Sequence, residues 1–267
     1  MPKKSMPIIL RTILCAIALF STSASFAGRP CEAPSYDAHK VMQALELAQK
    51  TNLRLIDSKA DIALIARVGQ DLSKYHLRYS HLGLAKREMD GRWSVIHELN
   101  DCGTANSGLF DEGLGNFFLD DMFAFETLIL IPKPELQSKL RTILENGKAK
   151  ALHDSHYNML AYPFSVRYQN SNQWALEVFA AAMAQGININ NRQQAQAWLT
   201  SADYHPDVLH IDTLTRLGAR MFRANVSFDD HPFDRRMSGL IDTVTVESIV
   251  RFMEGRDSTT DKIVLGL

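Results

Sequence analysis

Arg78-Tyr79-Ser80-His81-Leu82-Gly83-Leu84-Ala85, then Met89-Asp90-Gly91, then Arg92-Trp93-Ser94-Val95-Ile96-His97-Glu98-Leu99: the reading of this stretch decides the fold. Two β-rich runs flank turn residues, which predicts an antiparallel hairpin. Period-two alternation puts Trp93, Val95, His97 and Leu99 on one face and Glu98 on the other. His97 thereby joins an apolar face, where an imidazole needs a hydrogen-bond partner. Gly83, in mid-strand, allows a neighbouring element to approach the first strand closely.

Working outward, residues 62–68 are apolar and rich enough in β-formers for a buried strand, with a helix as the alternative. Residues 125–131 form a second apolar run, stopped by Pro132 and Pro134. Helical periodicity marks 36–52, 135–145, 171–185, 191–199, 213–222 and 247–253. The 171–185 segment carries Trp174, Leu176, Val178, Phe179, Ala182 and Met183, so it is apolar nearly all round and belongs in a core. Residues 100–108, 153–170 and 229–239 read as irregular. Residues 109–119 are mixed, 243–246 suggest a short strand, and the tail after Gly255 reads as poorly anchored. Strands clustered between helices predict an α+β fold with a mostly antiparallel sheet.

The N-terminus reads as an address. Lys3, Lys4 and Arg11 precede or punctuate an apolar run too short to span a bilayer, and Ser25-Phe26-Ala27 suits signal peptidase. A signal peptide over 1–27 is therefore expected, leaving 28–267 as a single domain in the periplasm or medium. Removing those three basic residues takes the formal net charge from −1 to −4. With no basic run and no basic–aromatic interleaving, nucleic acid is not an expected partner. No second apolar stretch reaches spanning length, so no membrane span is expected after cleavage. Cys15 leaves with the signal, and in an oxidising compartment Cys31 and Cys102 can close one disulfide; two free thiols are the alternative.

No metal or cofactor is expected. His153 and His156 stand three apart but have no evident third ligand. Asp229-Asp230-His231-Pro232 reads as an Asx turn before proline. Glycines 108, 113 and 115 lack the Gly-Lys-Ser/Thr ending of a phosphate loop.

Chemistry is suggested by Asn170-Ser171-Asn172-Gln173-Trp174. Asn170 suits an N-cap, and Gln173 could close a capping box. Ser171 then opens the helix, where outward-pointing N–H groups favour an anion and can hold an oxyanion. His81 is the candidate base, with His97 orienting it or binding substrate. Serine is common at helix starts and strand imidazoles are often structural, so a framework role for all three stays open.

Tyr79 to Leu84, His97 and Asn170 to Trp174, in that order, resemble the circularly permuted branch of the papain-like NlpC superfamily. The resemblance covers about 62–185, with 186–267 as a C-terminal helical extension. It implies a papain-like fold in which Ser171 attacks a carbonyl, His81 takes its proton and His97 orients the base. It also implies a cleft lined by Tyr79, Tyr168, Trp174 and Asn170. Ser171 stands where that superfamily places cysteine, which implies either a serine hydrolase or a site without turnover. Gly69-Gln70-Asp71-Leu72, Leu99-Asn100-Asp101-Cys102 and the Ser171 segment further resemble an exported bacterial family, domain of unknown function 2145, whose name implies no activity. The expected function is an exported amidase, peptidase or acyl hydrolase acting on cell-wall peptide or acyl substrates. The alternative is a non-catalytic envelope or peptidoglycan-binding module.

Overall fold

Strand burial assigns each face of the main sheet to its own set of helices. The computed structural model describes residues 37–120 and 122–267. The expected signal segment 1–27 and Cys31 lie outside the described residues. In chain order the elements are α1 (Ala38–Ser58), β1 (Ile62–Val68), β2 (His81–Arg87), β3 (Trp93–Asn100), β4 (Ser107–Gly113), α2 (Leu114–Leu119), β5 (Ala124–Ile131), α3 (Pro134–Glu145), α4 (Lys148–Ala151), α5 (Ser171–Met183), α6 (Arg192–Ser201), β6 (Asp207–His210), α7 (Thr213–Phe222), α8 (Phe233–Met237), β7 (Leu240–Thr243), α9 (Val246–Arg256) and β8 (Asp261–Gly266). A 3-10 turn lies at Ser73–Tyr75.

The six-stranded sheet runs β4-β3-β2-β1-β5-β8, and every adjacent pair is antiparallel. The expected hairpin forms, with Leu84 opposite Ile96 and Ala85 opposite Val95. Even-numbered residues of β1, β2 and β5 (Ile62, Leu64, Leu82, Leu84, Leu128) join a core with α3, α5, α6 and α9. Odd-numbered ones (Ala63, Ile65, Ala85, Ile129) join Trp93 and Val95 of β3 in a second core under α1 and α2. Helices on both faces explain why all seven residues of β1 are buried. The architecture is α+β, an antiparallel sheet packed with helices.

Several local expectations change. Residues 107–113 form β4, although they read as loop and broken helix. Their pairing with β3 supplies the backbone bonds that no local pattern announced. The tail after Gly255 is anchored, because β8 pairs with β5 along the sheet edge. Residues 186–267, expected to be a helical extension, also supply β8 and the separate ribbon of β6 and β7. The late strand is Leu240–Thr243 rather than 243–246, since Thr245 is taken as the N-cap of α9. Part of the expected 229–239 loop forms α8.

Gly83 is required by packing. A Cβ built there would lie 2.5 Å from Val95 Cγ1, 3.2 Å from Phe117 Cε2 and 3.4 Å from His97 Cβ. Val95 is β-branched and has little freedom to turn away. Gly83→Ala should therefore cost about 1–3 kcal/mol, the range for overpacking a core. The midpoint of urea unfolding would read this, and adding Val95→Ala should recover part of the loss. An unchanged midpoint in the single variant would disprove the constraint.

Candidate functional site

Asn170 has extended backbone, and its side-chain oxygen accepts the Gln173 N–H at 2.8 Å, so it caps α5. The expected capping box does not close. Gln173 instead donates to the Pro163 carbonyl at 3.2 Å, and its Oε1 has no hydrogen-bond partner among the described residues. Packing against the preceding loop draws that side chain away from the cap. Ser171 becomes the first helical residue. No described hydrogen bond uses its N–H or that of Asn172, so two donors remain at the positive end of the helix dipole.

The next residue sets the register between helix and sheet. Asn172 Oδ1 accepts from Leu82 N–H at 3.0 Å, and its Nδ2 donates to the Ser80 carbonyl at 3.3 Å. Asn172 thus grips the backbone on both sides of His81. The result is His81 Nδ1 at 3.1 Å from Ser171 Oγ, across 90 residues of sequence. On its other side His81 Nε2 lies 2.8 Å from His97 Nδ1. Phe117 packs against both rings, with centroids 5.9 Å and 5.3 Å away.

Burial, and secondarily the Arg67 guanidinium, hold the His97 imidazole well below the usual histidine range, at about 3. His97 is therefore neutral at ordinary pH and carries one ring N–H. One tautomer set that satisfies the chain of contacts, inferred from heavy-atom positions, leaves His81 Nδ1 as the acceptor. Ser171 O–H donates to His81 Nδ1, His81 Nε2–H donates to His97 Nδ1, and the His97 proton sits on Nε2. That nitrogen faces Glu112 Oε2 at 3.5 Å, longer than a good hydrogen bond. The carboxylate still favours a proton on the side nearest to it.

Tyr157, in the loop before α5, lies beside Ser171. Burial, with the nearby Glu98 carboxyl, raises the phenol above its ordinary value, and Ser171 opposes that. Tyr157 thus stays protonated. Nothing local marked it, because it lies in a segment with no periodicity. Glu112 and Phe117, in the mixed 109–119 run, were likewise unmarked.

The remaining sequence candidates take framework positions. Trp174 is fully buried and its indole N–H donates to the Ala149 carbonyl at 3.0 Å, so it is a core residue and lines no cleft. A helix apolar all round leaves no exposed face for it. Tyr79 packs in the core on the α5 side of the sheet and donates to Glu126 Oε1 at 2.8 Å. Asn170 Nδ2 holds Thr243 Oγ1 at 3.1 Å. The Tyr168 carbonyl accepts from Arg192 Nη2 at 2.7 Å. Cys102 lies in the turn after β3, and Cys31 lies outside the described residues. His153 and His156 part company: one faces Ser107 Oγ at 3.1 Å, the other Asp154 Oδ1 at 2.9 Å. Among the described residues no group of three or more His, Cys, Asp or Glu could hold a metal, and no helix is long and apolar enough to cross a membrane.

Glu98 occupies the opposite face from His97, as alternation required. It is fully buried, its Oε1 accepts from Ser107 Oγ at 2.7 Å, and its Oε2 has no hydrogen-bond partner among the described residues. Burial pushes its carboxyl up to about 8, against the opposing Ser107 bond and Arg192 charge. A raised folded pKa contributes stability that is complete below the unfolded value and lost as pH rises through about 8. Glu98→Gln should flatten that fall and raise Tm at alkaline pH, by about 2–4 °C per kcal/mol relieved. Parallel Tm-versus-pH curves for the two proteins would refute the assignment.

Comparison with known proteins places the chain without naming its chemistry. No curated protein and no solved structure matches it. A family model described as an uncharacterized protein conserved in bacteria (DUF2145) matches residues 54–253, and the chain belongs to that family.

Proposed function

We propose that the protein is an exported hydrolase of amide or ester bonds with Ser171 as nucleophile, on a papain-like scaffold of the permuted NlpC type. The continuous contact from Ser171 Oγ through His81 to His97 carries this reading. Ser171 Oγ attacks the substrate carbonyl carbon while its proton passes to His81 Nδ1. The carbonyl π electrons move onto oxygen, beside the free N–H groups of Ser171 and Asn172. Collapse of that intermediate expels the amine or alcohol, which takes the proton from His81. Water then releases the acyl group by the reverse sequence. His97, neutral and accepting through Nδ1, stabilises the imidazolium that forms on His81.

The test is covalent labelling with a fluorophosphonate, with peptide and acyl-ester substrates assayed alongside. Labelling at Ser171 supports the reading, and failure of Ser171 to react overturns it. A non-catalytic peptidoglycan-binding module is the second reading, favoured by the serine at a cysteine position. It requires an unreactive Ser171 together with specific retention on peptidoglycan. We also propose that Cys31 and Cys102 pair after export, tying the mature N-terminus to the turn that follows β3. The intact mass before and after reduction would show whether they do.

A further inference from the structure

We propose that α7 docks the protein on an anionic lipid surface. Leu214, Leu217 and Met221 recur at helical spacing on one face, and they are 80%, 55% and 67% exposed. An amphipathic helix ordinarily turns such a stripe inward. Here the inward contact is made by Ala219, which helical geometry puts on nearly the opposite side and which packs on the small core of Leu209, Ile211, Val226, Phe228 and Ile241. The apolar stripe is therefore turned away from the protein.

Charge selects the occupant. From Thr213 to Arg223 the only charged residues are Arg216, Arg220 and Arg223. The nearest carboxylate, Asp212, is the N-cap and is held by the Thr215 N–H and hydroxyl. An exposed apolar face on a helix whose exposed charged residues, Arg220 and Arg223, are both cationic is the pattern of a helix lying in a membrane interface. Its apolar side chains enter the acyl boundary and its guanidinium groups meet lipid phosphates. A short helix that packs on its own fold through Ala219 can lie flat on such a surface without unfolding anything. The following helix, α8, adds Phe233 and Met237, 69% and 61% exposed.

This small unit is continuous with the loop before α5. Met159 N–H donates to the Asn225 carbonyl at 2.9 Å, Asn158 Nδ2 to the Ser227 carbonyl at 2.9 Å, and Tyr162 N–H to Asp230 Oδ2 at 2.8 Å. That loop also carries Tyr157. A docked α7 would therefore sit on the unit that braces the approach to Ser171. The proposal itself does not depend on Ser171 being a nucleophile.

Co-sedimentation of the exported protein with vesicles tests it. Vesicles containing phosphatidylglycerol should retain the protein, and pure phosphatidylcholine vesicles should retain much less. Leu214→Ser, Leu217→Ser and Met221→Ser combined should lower retention about tenfold or more. Arg220→Glu with Arg223→Glu should also lower it, and salt should weaken the wild-type interaction. All five side chains are exposed, so Tm should be unchanged, and any contribution from residues 1–36 cancels between variant and wild type. The proposal is overturned if the wild type ignores anionic vesicles or if the apolar variant binds as the wild type does. It is also overturned if the variant loses only a wild-type dimer in sedimentation velocity, which would make a second copy the occupant.

Discussion

On the proposed mechanism, Ser171→Ala and His81→Ala should each lower hydrolysis on the order of 1,000-fold or more, and Ser171→Ala should abolish fluorophosphonate labelling. Nucleophile and base act as a unit, so the double variant should be little worse than either single one. Serine is a weak acid, and the proposed attack depends on His81 Nδ1 standing 3.1 Å away in the accepting tautomer. His97 enforces that tautomer from the far side at 2.8 Å. His97→Leu should therefore reduce turnover while leaving Ser171 and His81 in place, an intermediate loss.

Ser171→Cys provides a reading of the same geometry that needs no substrate. A thiol at a helix N-terminus beside an imidazole is acidified. Its alkylation by iodoacetamide near neutral pH should greatly exceed that of a free cysteine, and His81→Ala in the same background should slow it. An introduced thiol no more reactive than free cysteine would mean that this end of α5 does not favour an anion, and the hydrolase reading would fall.

Arg192→Met should be the most destabilising single change, costing about 3–5 kcal/mol because it strands a buried carboxylate. Glu177 is fully buried in α5 and accepts from Arg192 Nε at 2.9 Å, Gln169 Nε2 at 2.7 Å and Gln196 Nε2 at 2.9 Å. Burial raises its carboxyl, and Arg192 is the main counterweight. Arg192 also holds the carbonyls of Val166 at 3.1 Å and Tyr168 at 2.7 Å. One guanidinium thus pins the irregular segment that positions Tyr157 and leads into Ser171. A Tm lowered on the order of 10 °C is expected. Arg192→Met with Glu177→Met should recover most of it, since replacing both charges removes the stranded group. A single variant as stable as the wild type would show that Glu177 is neutral in the fold.

The alternation of residues 92–99 was enough to put His97 with Trp93 and Val95 and to send Glu98 the other way. Side-chain direction in a strand is a local property with period two. Asn170 marked the start of α5 for the same kind of reason, since a cap is satisfied within three residues. Tertiary structure decided the rest. Residues 107–113 became a strand because β3 had an open edge, and the tail became one because β5 did. Trp174 went into the core because its helix is covered on every side. Gln173 left the cap for a carbonyl ten residues back. The 3.1 Å between Ser171 and His81 is fixed by Asn172 clasping the strand on both sides of the imidazole, a contact spanning 90 residues. Periodicity and capping describe each element by itself; the distance between two of them depends on how their faces pack, and that is a property of the whole fold.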